Sequence, residues 1–418
     1  MTESGGSSEF TEVTPDGAVP KSDKPGKVCV GDRSIDEPSL LAELLDVQKR
    51  IETWAAERGL WHDSSFHTPF IFHEEPPRAY DTLLLITEGP LMRIFGSDGA
   101  FADEFEVPFT KLLNELGYWF ELENDYTFSL YPVNDARREE FLSLRRWQWL
   151  QKLSERRMFE LHSEVFEHFS KHPGDMNKMH WRKFEELLDA IFKNQGYRTE
   201  LGPGSNDGGI DLRLYENTAR PELVTIVQAK RYSSPIKLEA VAALFGVAAM
   251  EGAPKALFAT TSRFQPKARD YALLSESKVN LPIIELADGT KIGEWCGEIS
   301  KNLKRYYTDG VEAPPMLSEA KGELAGKIVV AQGGYNCTIN FFAQVEAEFP
   351  HEVVLRPIGA EVVSGDMTAG CAVPSESKPA TWTREARLLA EKTSPISFKA
   401  ARKSFGLWDG APQQFNSD

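Results

Sequence analysis

The chain has 418 residues, of which 41% are hydrophobic and 26% are charged, and its formal net charge is −16. This composition indicates a folded protein of two or three domains, because single cores stop growing near roughly 250–300 residues. No apolar run approaches the roughly 18–20 residues that cross a bilayer, and the N-terminus lacks a signal-peptide pattern, so we expect a cytoplasmic protein without membrane segments. Four scattered cysteines without a CxxC pair predict neither a zinc site nor a disulfide framework.

The negative charge is concentrated in the first third of the chain. Residues 1–135 contain 10 Lys and Arg against 26 Asp and Glu, whereas the remaining residues contain 37 of each. The acidity therefore does not argue against nucleic-acid binding by the rest of the chain, where Lys and Arg are available for phosphate contacts.

The N-terminal part divides into a tail and a small domain. Residues 1–35 are rich in Ser, Gly, Pro and acids, a composition that predicts a disordered acidic segment. Residues 36–133 are predicted to form a small α+β domain of unknown role. Its expected elements are a helix closed by Gly59, one or two strands over 82–95, a helix over 109–116 and a hairpin around Asn124-Asp125.

Residues 134–174 are predicted to form a helical connector. It contains a cluster of arginine and tryptophan, namely Arg145, Arg146, Trp147 and Trp149. Such a cluster could lie on nucleic acid. More often it belongs to an amphipathic helix that buries its tryptophans, and we favour this interpretation. The sequence His172-Pro173-Gly174-Asp175 then breaks the helix.

Residues 175–300 alternate between helices and strands. Helices are expected over 181–194, 237–250 and 265–275, and strands over 197–201, 210–215, 223–230, 256–261 and 282–286. This order, αβββαβ followed by a further helix and strand, predicts an α/β domain with a mixed sheet covered by helices. A glycine-rich loop, residues 202–209, precedes the second strand and permits close approach of a ligand.

The C-terminal part, residues 316–418, is predicted to be an α+β region of unknown role. Strands are expected over 327–332, 338–345 and 353–357. The tail over 382–405 suggests two short helices, the second with Lys399, Arg402 and Lys403 on one face. A basic helix of this kind could enter a DNA groove, although no base-reading side chain supports that idea.

Polar residues come together at one end of the predicted 175–300 sheet. The period of two in a strand places Gln228 and Lys230 on one face and Val227 with Ala229 on the other. Asp211 opens the preceding strand, so pairing of the two strands would bring it beside them. In the first helix, Glu185 lies at the rim of the apolar stripe, whereas its neighbour Glu186 points to solvent.

These residue types suit a hard cation. Mg²⁺ takes oxygen ligands and keeps several waters, which fits the carboxylate of Asp211, the amide oxygen of Gln228 and the backbone carbonyl of Ala229. The positive charge of Lys230 would orient a water or stabilise a developing negative charge. Singly, an Asp after Gly-Gly and a Lys ending a strand are more often structural; their combination favours an active site.

Four segments of this region resemble the Mrr-like restriction endonucleases of the PD-(D/E)xK superfamily, in the variant with a QxK motif. GGIDL (208–212) followed by VQAKRY (227–232) resembles the GGxD…QxKR signature of that family. FEELLDAIFKNQGY (184–197) is similar to its opening helix, and FATTSRFQPKARDYA (258–272) to its later strand and helix. The resemblance covers about 120 of the 418 residues, with the motifs in the family order.

The resemblance implies a restriction-endonuclease-like core and Mg²⁺-dependent cleavage of double-stranded DNA. It also implies catalytic roles for Glu185, Asp211, Gln228 and Lys230. Gln228 stands where the wider superfamily has an acid, so metal affinity should be weaker and Mn²⁺ should be able to substitute. Arg231, Thr261 and Ser262 are candidates for DNA phosphate contacts; for Thr261 and Ser262, capping of a strand end is equally compatible.

Three functions remain open at this stage. We favour an endonuclease that restricts foreign DNA and forms a homodimer to cut both strands. The first alternative is a repair, junction-cleaving or RNA-cleaving nuclease on the same fold. The second is a module that binds nucleic acid without cleaving it. The acidic residues 1–135 provide solubility or, alternatively, imitate a polyanion and restrain the nuclease.

Overall fold

A computed structural model describes residues 27–30, 33–67, 83–94, 102–124, 126–156, 159–204, 208–317, 322–334, 337–366 and 368–416. Most of the tail predicted to be disordered (residues 1–26) and part of the glycine-rich loop (residues 205–207) lie outside these ranges. Within the described residues, no helix is long and apolar enough to cross a membrane.

The N-terminal region folds around a four-stranded antiparallel sheet. Its elements are β1 (Lys27–Val30), β2 (Arg33–Asp36), α1 (Glu37–Ala56), β3 (Ser64–His67), β4 (Leu83–Thr87), α2 (Val107–Leu116), β5 (Tyr118–Asn124) and β6 (Thr127–Pro132). The sheet order is β3-β4-β6-β5, while β1 and β2 pair separately at the end of the stretch for which the sequence predicts disorder. Leu44 and Ile51 of α1 and Phe109 of α2 pack in one core with the sheet, and the predicted β5–β6 hairpin is confirmed.

The predicted connector consists of two helices, α3 (Asp135–Glu155) and α4 (Ser163–Lys171). Trp147 and Trp149 are buried, which agrees with the amphipathic interpretation of the arginine and tryptophan cluster. Helix α4 packs against α8 (Gly289–Asp309), where Glu167 pairs with Lys304 at 2.7 Å and with Lys171 at 2.6 Å. The connector therefore shares a hydrophobic core with the segment that follows it.

The segment after the connector contains a five-stranded sheet covered by helices on both faces. Its further elements are α5 (Trp181–Asn194), β7 (Arg198–Leu201), β8 (Leu212–Tyr215), β9 (Leu223–Lys230), α6 (Leu238–Glu251), β10 (Lys255–Thr260), α7 (Pro266–Glu276) and β11 (Ile283–Ala287). The order is β11-β10-β9-β8-β7, with β7, β8 and β9 antiparallel and β9, β10 and β11 parallel. The mixed sheet expected from the sequence is thus present.

The two faces of this sheet bury different residues. Val227 and Ala229 pack in the core shared with α4, α5 and α8. Ile226 and Phe258 pack in a second core under α6 and α7. Alternation along β9 is therefore as predicted, and it places Gln228 and Lys230 on the α6–α7 side of the sheet.

Helix α8 is an element that the sequence reasoning missed. Asp288 caps its start by accepting a hydrogen bond from the backbone N–H of Lys291 at 3.1 Å. Ile292, Cys296 and Ile299 recur at helical spacing and are buried. The glycines at 289, 293 and 297 weaken the helical pattern by propensity, but they allow close packing: a Cβ at Gly293 would lie 3.1 Å from the Phe169 carbonyl oxygen.

The C-terminal region consists of antiparallel strands. They are β12 (Ile328–Gly333), β13 (Ile339–Glu348), β14 (Glu352–Gly365), β15 (Ala369–Ser375), β16 (Leu388–Ser394), β17 (Ser397–Ala400), β18 (Lys403–Leu407) and β19 (Gln413–Asn416). The sheet order is β13-β12-β18-β17-β16-β14-β15-β19, and β14 also pairs with β13, so that six strands close into a ring. The three strands predicted for this region are confirmed; β12 is shifted by one residue, and β13 and β14 are longer than predicted.

The two helices predicted for the tail over 382–405 are wrong. This stretch contains β16, β17 and the start of β18, which pair in succession. Lys399, Ala401 and Lys403 are good helix formers, which is why the pattern misleads. However, Ala401 and Arg402 have φ of 49° and 61° and form a tight turn between β17 and β18, while Phe398 and Phe405 are buried in the ring. The proposed basic helix for a DNA groove is therefore absent from this described stretch.

A buried polar cluster joins the connector to the C-terminal strands. Glu352 of β14 accepts from Arg156 at 2.9 Å and lies 3.0 Å from Nε2 of His162. Burial opposes the charge of Glu352, but its hydrogen bonds with His162 and Arg156 hold its pKa below the usual value. Glu352 therefore stays ionised as the partner of both basic side chains.

Candidate active site

Asp211 reaches across to the neighbouring strand. Its backbone N–H donates to the carbonyl of Val227 at 2.9 Å, and its carboxylate Oδ2 accepts from the backbone N–H of Ala229 at 2.6 Å. The carboxylate is buried, with 6% of the residue exposed. It therefore lies beside Ala229, between the positions of Gln228 and Lys230 in β9.

Asp211 lies close to Gln228 in the register of two paired strands. Leu212 pairs with Val227, so Asp211 and Gln228 are the next residues on their two strands. Val227 and Ala229 point into the core shared with α5, and alternation directs Gln228 and Lys230 to the opposite side. The register and the hydrogen bond to Ala229 thus bring Asp211 next to Gln228 at the end of β9, and the joint role of Asp211, Gln228 and Lys230 stays a prediction.

The side chains of Gln228 and Lys230, near the end of β9, are available to bind a ligand. Both side chains are partly exposed, and the described residues make no hydrogen bond or ion pair with either of them. The carbonyl of Lys230 points toward β10, because it accepts from Thr261 N at 3.3 Å. Backbone carbonyls alternate between the two neighbouring strands, so the carbonyl of Ala229 points away from β10 and toward the side of β9 on which Asp211 lies.

Glycines shape the loop that leads to Asp211. Gly208 and Gly209 have φ of 66° and 87°, a region that other residues rarely adopt. A Cβ at Gly209 would lie 2.9 Å from Nε2 of Gln228. Gly209 therefore provides both the turn into β8 and the room in which the amide of Gln228 lies.

Glu185 approaches from the other side of the sheet. It lies on α5 with 7% of its side chain exposed, whereas the side chain of Glu186 is 31% exposed and pairs with Lys183. Oε2 of Glu185 accepts from Arg182 at 2.9 Å, and the same guanidinium nitrogen donates to the carbonyl of Gly202 at 2.7 Å. The backbone N–H of Gly202 in turn donates to the carbonyl of Asp211 at 2.8 Å.

Arg182 is a site residue that the sequence reasoning missed. It links Glu185 to Gly202, the first residue of the glycine-rich loop, and the N–H of Gly202 donates a hydrogen bond to the carbonyl of Asp211. The available signal was its position three residues before Glu185 on the same helix, a spacing at which opposite charges pair. Its contact with Gly202, 20 residues away, was not visible in the sequence.

The three candidate phosphate contacts are engaged within the fold. Arg231 donates to the carbonyl of Asn177 at 2.7 Å. The hydroxyl of Thr261 lies against Oδ1 of Asn177 and 3.0 Å from the carbonyl of Tyr232, and Ser262 lies 3.3 Å from the carbonyl of Ser233. These contacts are those of the capping alternative for Thr261 and Ser262, and their contact with DNA stays a prediction.

The donor set at the strand ends fits a hard divalent cation. A carboxylate, an amide and a backbone carbonyl offer oxygen ligands of the kind that Mg²⁺ takes. The described residues contain no group of three or more His, Cys, Asp or Glu side chains that could hold a metal ion. A cation at Asp211 would therefore combine one strand carboxylate with neutral oxygens and water.

A mixed sheet with an acid just before one strand and Gln-x-Lys at the end of the next is the arrangement that the sequence resemblance implies. In agreement, residues 176–296 match the model of the Mrr catalytic domain, described as a restriction endonuclease. This segment is thus an Mrr-like nuclease domain.

Two individual proteins are also similar to parts of the chain. An uncharacterized protein, y4cE of Sinorhizobium fredii (strain NBRC 101917 / NGR234), is 29% identical over 140 residues, which are 33% of this chain and 34% of that protein. The alignment thus spans about a third of the length of that relative. The structure of the MspJI restriction endonuclease in complex with a 27-mer oligonucleotide aligns with 38% of this chain and 35% of its own, at 18% identity and a TM-score of 0.22, which does not establish a shared fold.

Proposed function

We propose that the protein is a Mg²⁺-dependent endonuclease that hydrolyses phosphodiester bonds of double-stranded DNA and acts in the cytoplasm against foreign DNA. The observation that carries this proposal is the 2.6 Å hydrogen bond from Ala229 N to the carboxylate of Asp211. It fixes the acid of one strand between Gln228 and Lys230 of the next, in a segment that matches a nuclease domain.

Asp211, Gln228 and the carbonyl of Ala229 would hold the cation. Mg²⁺ bound there would supply positive charge beside the scissile phosphate and acidify a bound water. Mn²⁺, which also accepts oxygen ligands, would substitute. With a neutral amide in place of a second strand acid, we expect weaker cation binding than a pair of carboxylates would give.

Lys230 and Glu185 would complete the site. The ammonium of Lys230, which starts from the same strand end, would donate to the attacking water or to a phosphate oxygen and offset the negative charge that develops there. Glu185, held by Arg182, would accept a hydrogen bond from water at the edge of the site next to Gly202. Two protomers would be needed for concerted cleavage of both strands, and we propose a homodimer on DNA.

Plasmid cleavage tests this proposal. Purified protein is incubated with unmethylated and methylated plasmid in Mg²⁺, in Mn²⁺ and in EDTA, beside a Lys230→Met variant. We expect nicking or linearisation in either metal, none in EDTA and none with Lys230→Met. Cleavage of the methylated plasmid alone would indicate restriction that depends on modification.

Other outcomes would change the assignment. Cleavage of RNA or of branched DNA in preference to plasmid would favour the repair, junction-cleaving or RNA-cleaving nuclease considered above. Binding of DNA by gel shift, without cleavage of any substrate at any metal concentration, would refute the enzymatic proposal and indicate a binding module.

A further inference from the structure

We propose that Thr260 and Thr261, at the end of β10, are positioning residues that fix the backbone of Lys230 for catalysis. This inference rests on the proposed function and deepens it. It concerns two buried residues: Thr260 is 0% exposed and Thr261 is 5% exposed.

The two threonines hold the chain at and just after Lys230. The hydroxyl of Thr260 donates to the carbonyl of Lys230 at 2.8 Å, and the backbone N–H of Thr261 donates to the same carbonyl at 3.3 Å. The hydroxyl of Thr261 lies 3.0 Å from the carbonyl of Tyr232, two residues further on. Thr260 also accepts from the N–H of Ser262 at 3.2 Å, which fixes the turn that carries both hydroxyls.

A second segment braces the same strand end. Asn177, in the 3-10 turn Pro173–Lys178, accepts from Arg231 through its carbonyl at 2.7 Å and contacts Thr261 through Oδ1. Asn177, which precedes β9 in the chain, and Thr260 and Thr261, which follow it, thus all contact residues 230–232. Three hydroxyl contacts and one guanidinium contact thus converge on this strand end, so the capping contacts of β10 also hold the backbone of residues 230–232.

The need for this support follows from where β9 ends. Leu212 pairs with Val227, so the last three residues of β9 extend beyond the first residue of β8. On that side, the carboxylate of Asp211 holds Ala229. A carboxylate that binds a cation is a weaker acceptor for the N–H of Ala229, and the threonines on the β10 side then become the main anchor of Lys230.

The test compares isosteric variants in steady-state cleavage of plasmid with Mg²⁺. Thr260→Val removes the hydroxyl and keeps the volume, and we expect kcat to fall by about 10- to 100-fold with KM within about twofold, because small misplacements of a reacting group cost up to about 100-fold. Thr260→Ser restores the hydroxyl and should restore kcat. Thr225→Val, a buried threonine at the opposite end of β9, is the matched control and should keep the wild-type kcat.

Hydrogen exchange gives a readout that is independent of activity. Thr260→Val should raise amide exchange in a peptide that covers residues 229–232, and Thr225→Val should not. Thermal unfolding checks that each variant is folded. If Thr260→Val does not fold, Thr261→Val replaces it, because it removes the contact with Tyr232. It should likewise lower kcat and leave KM nearly unchanged.

Several results would overturn the inference. A wild-type kcat in folded Thr260→Val would do so. A rise in KM with unchanged kcat would instead indicate a direct DNA contact, and failure of Thr260→Ser to restore kcat would exclude a role of the hydroxyl. If Lys230→Met is inactive and Thr260→Val is normal, the positioning inference alone fails; if the wild-type protein cleaves no DNA, the proposed function fails and the inference with it.

Discussion

Substitution of Asp211 by Asn and by Ala separates the chemistry of this residue from its role in holding two strands together. Its carboxylate accepts from the buried N–H of Ala229 at 2.6 Å. Hydrogen bonds to charged groups contribute about 1.5–3 kcal/mol, and a buried donor left without a partner costs a similar amount. Asp211→Ala should therefore lose about 2 kcal/mol of unfolding free energy, or about 4–8 °C in Tm for a unit of this size.

Asp211→Asn keeps an oxygen acceptor for Ala229 and removes only the charge. We expect a change in unfolding free energy below about 1 kcal/mol, because loss of a buried charge offsets the weaker hydrogen bond. Both variants should lose at least about 100-fold in the rate of plasmid cleavage.

The assays are thermal unfolding and cleavage under identical Mg²⁺ concentrations. If Asp211→Asn cleaved DNA at the wild-type rate, the carboxylate would not be part of the site. If Asp211→Ala were as stable as the wild type, the hydrogen bond to Ala229 would not tether the strands.

Three further predictions concern other acids and the amide. Glu185→Gln should reduce the cleavage rate and the matched surface variant Glu186→Gln should not; equal rates for the two would contradict the role of Glu185. Gln228→Glu adds a negative charge to the oxygen set and should lower the Mg²⁺ concentration for half-maximal cleavage in a metal titration, whereas an unchanged titration would remove Gln228 from the cation site. Hydrogen bonds from its two lysine partners lower the pKa of Glu167 to about 2. Since this lies below the roughly 4.3 of the unfolded chain, its stabilisation is present above about pH 4 and lost as the pH falls toward 2. Glu167→Gln should therefore lower Tm at pH 7 and converge with the wild type near pH 2; a constant difference in Tm would refute this linkage.

Local signals were sufficient for most of the nuclease segment. Helix α5 and strand β9 have the bounds that apolar periodicity predicts, and alternation in β9 correctly separated Gln228 and Lys230 from the core. Asp211 could be placed beside them because strands that follow each other in the chain often pair. The core of the candidate site is thus encoded within about 20 residues of sequence.

Local sequence signals could not predict contacts between residues that are distant in the chain. The bond of Arg182 to Gly202 and the contacts of Asn177 with Thr261 and Arg231 depend on how the sheet and the turn before α5 pack together. The tail was predicted to be helical from its good helix formers. Helix propensity is outweighed there by the tight turn between β17 and β18, in which two residues have positive φ. In α8, three glycines lower the helix propensity, so the helical spacing of its apolar residues was overlooked.

The shared core has a consequence for where the catalytic unit can be cut. Phe166 and Phe169 of α4 lie in one hydrophobic cluster with Ile299 and Leu303 of α8. Excision at residue 176, where the family match begins, would remove the helix that packs on α8 and expose Ile299 and Leu303 to water. A segment that folds on its own should therefore include at least α4, and recombination between relatives should exchange α4 together with residues 176–296 rather than apart from them.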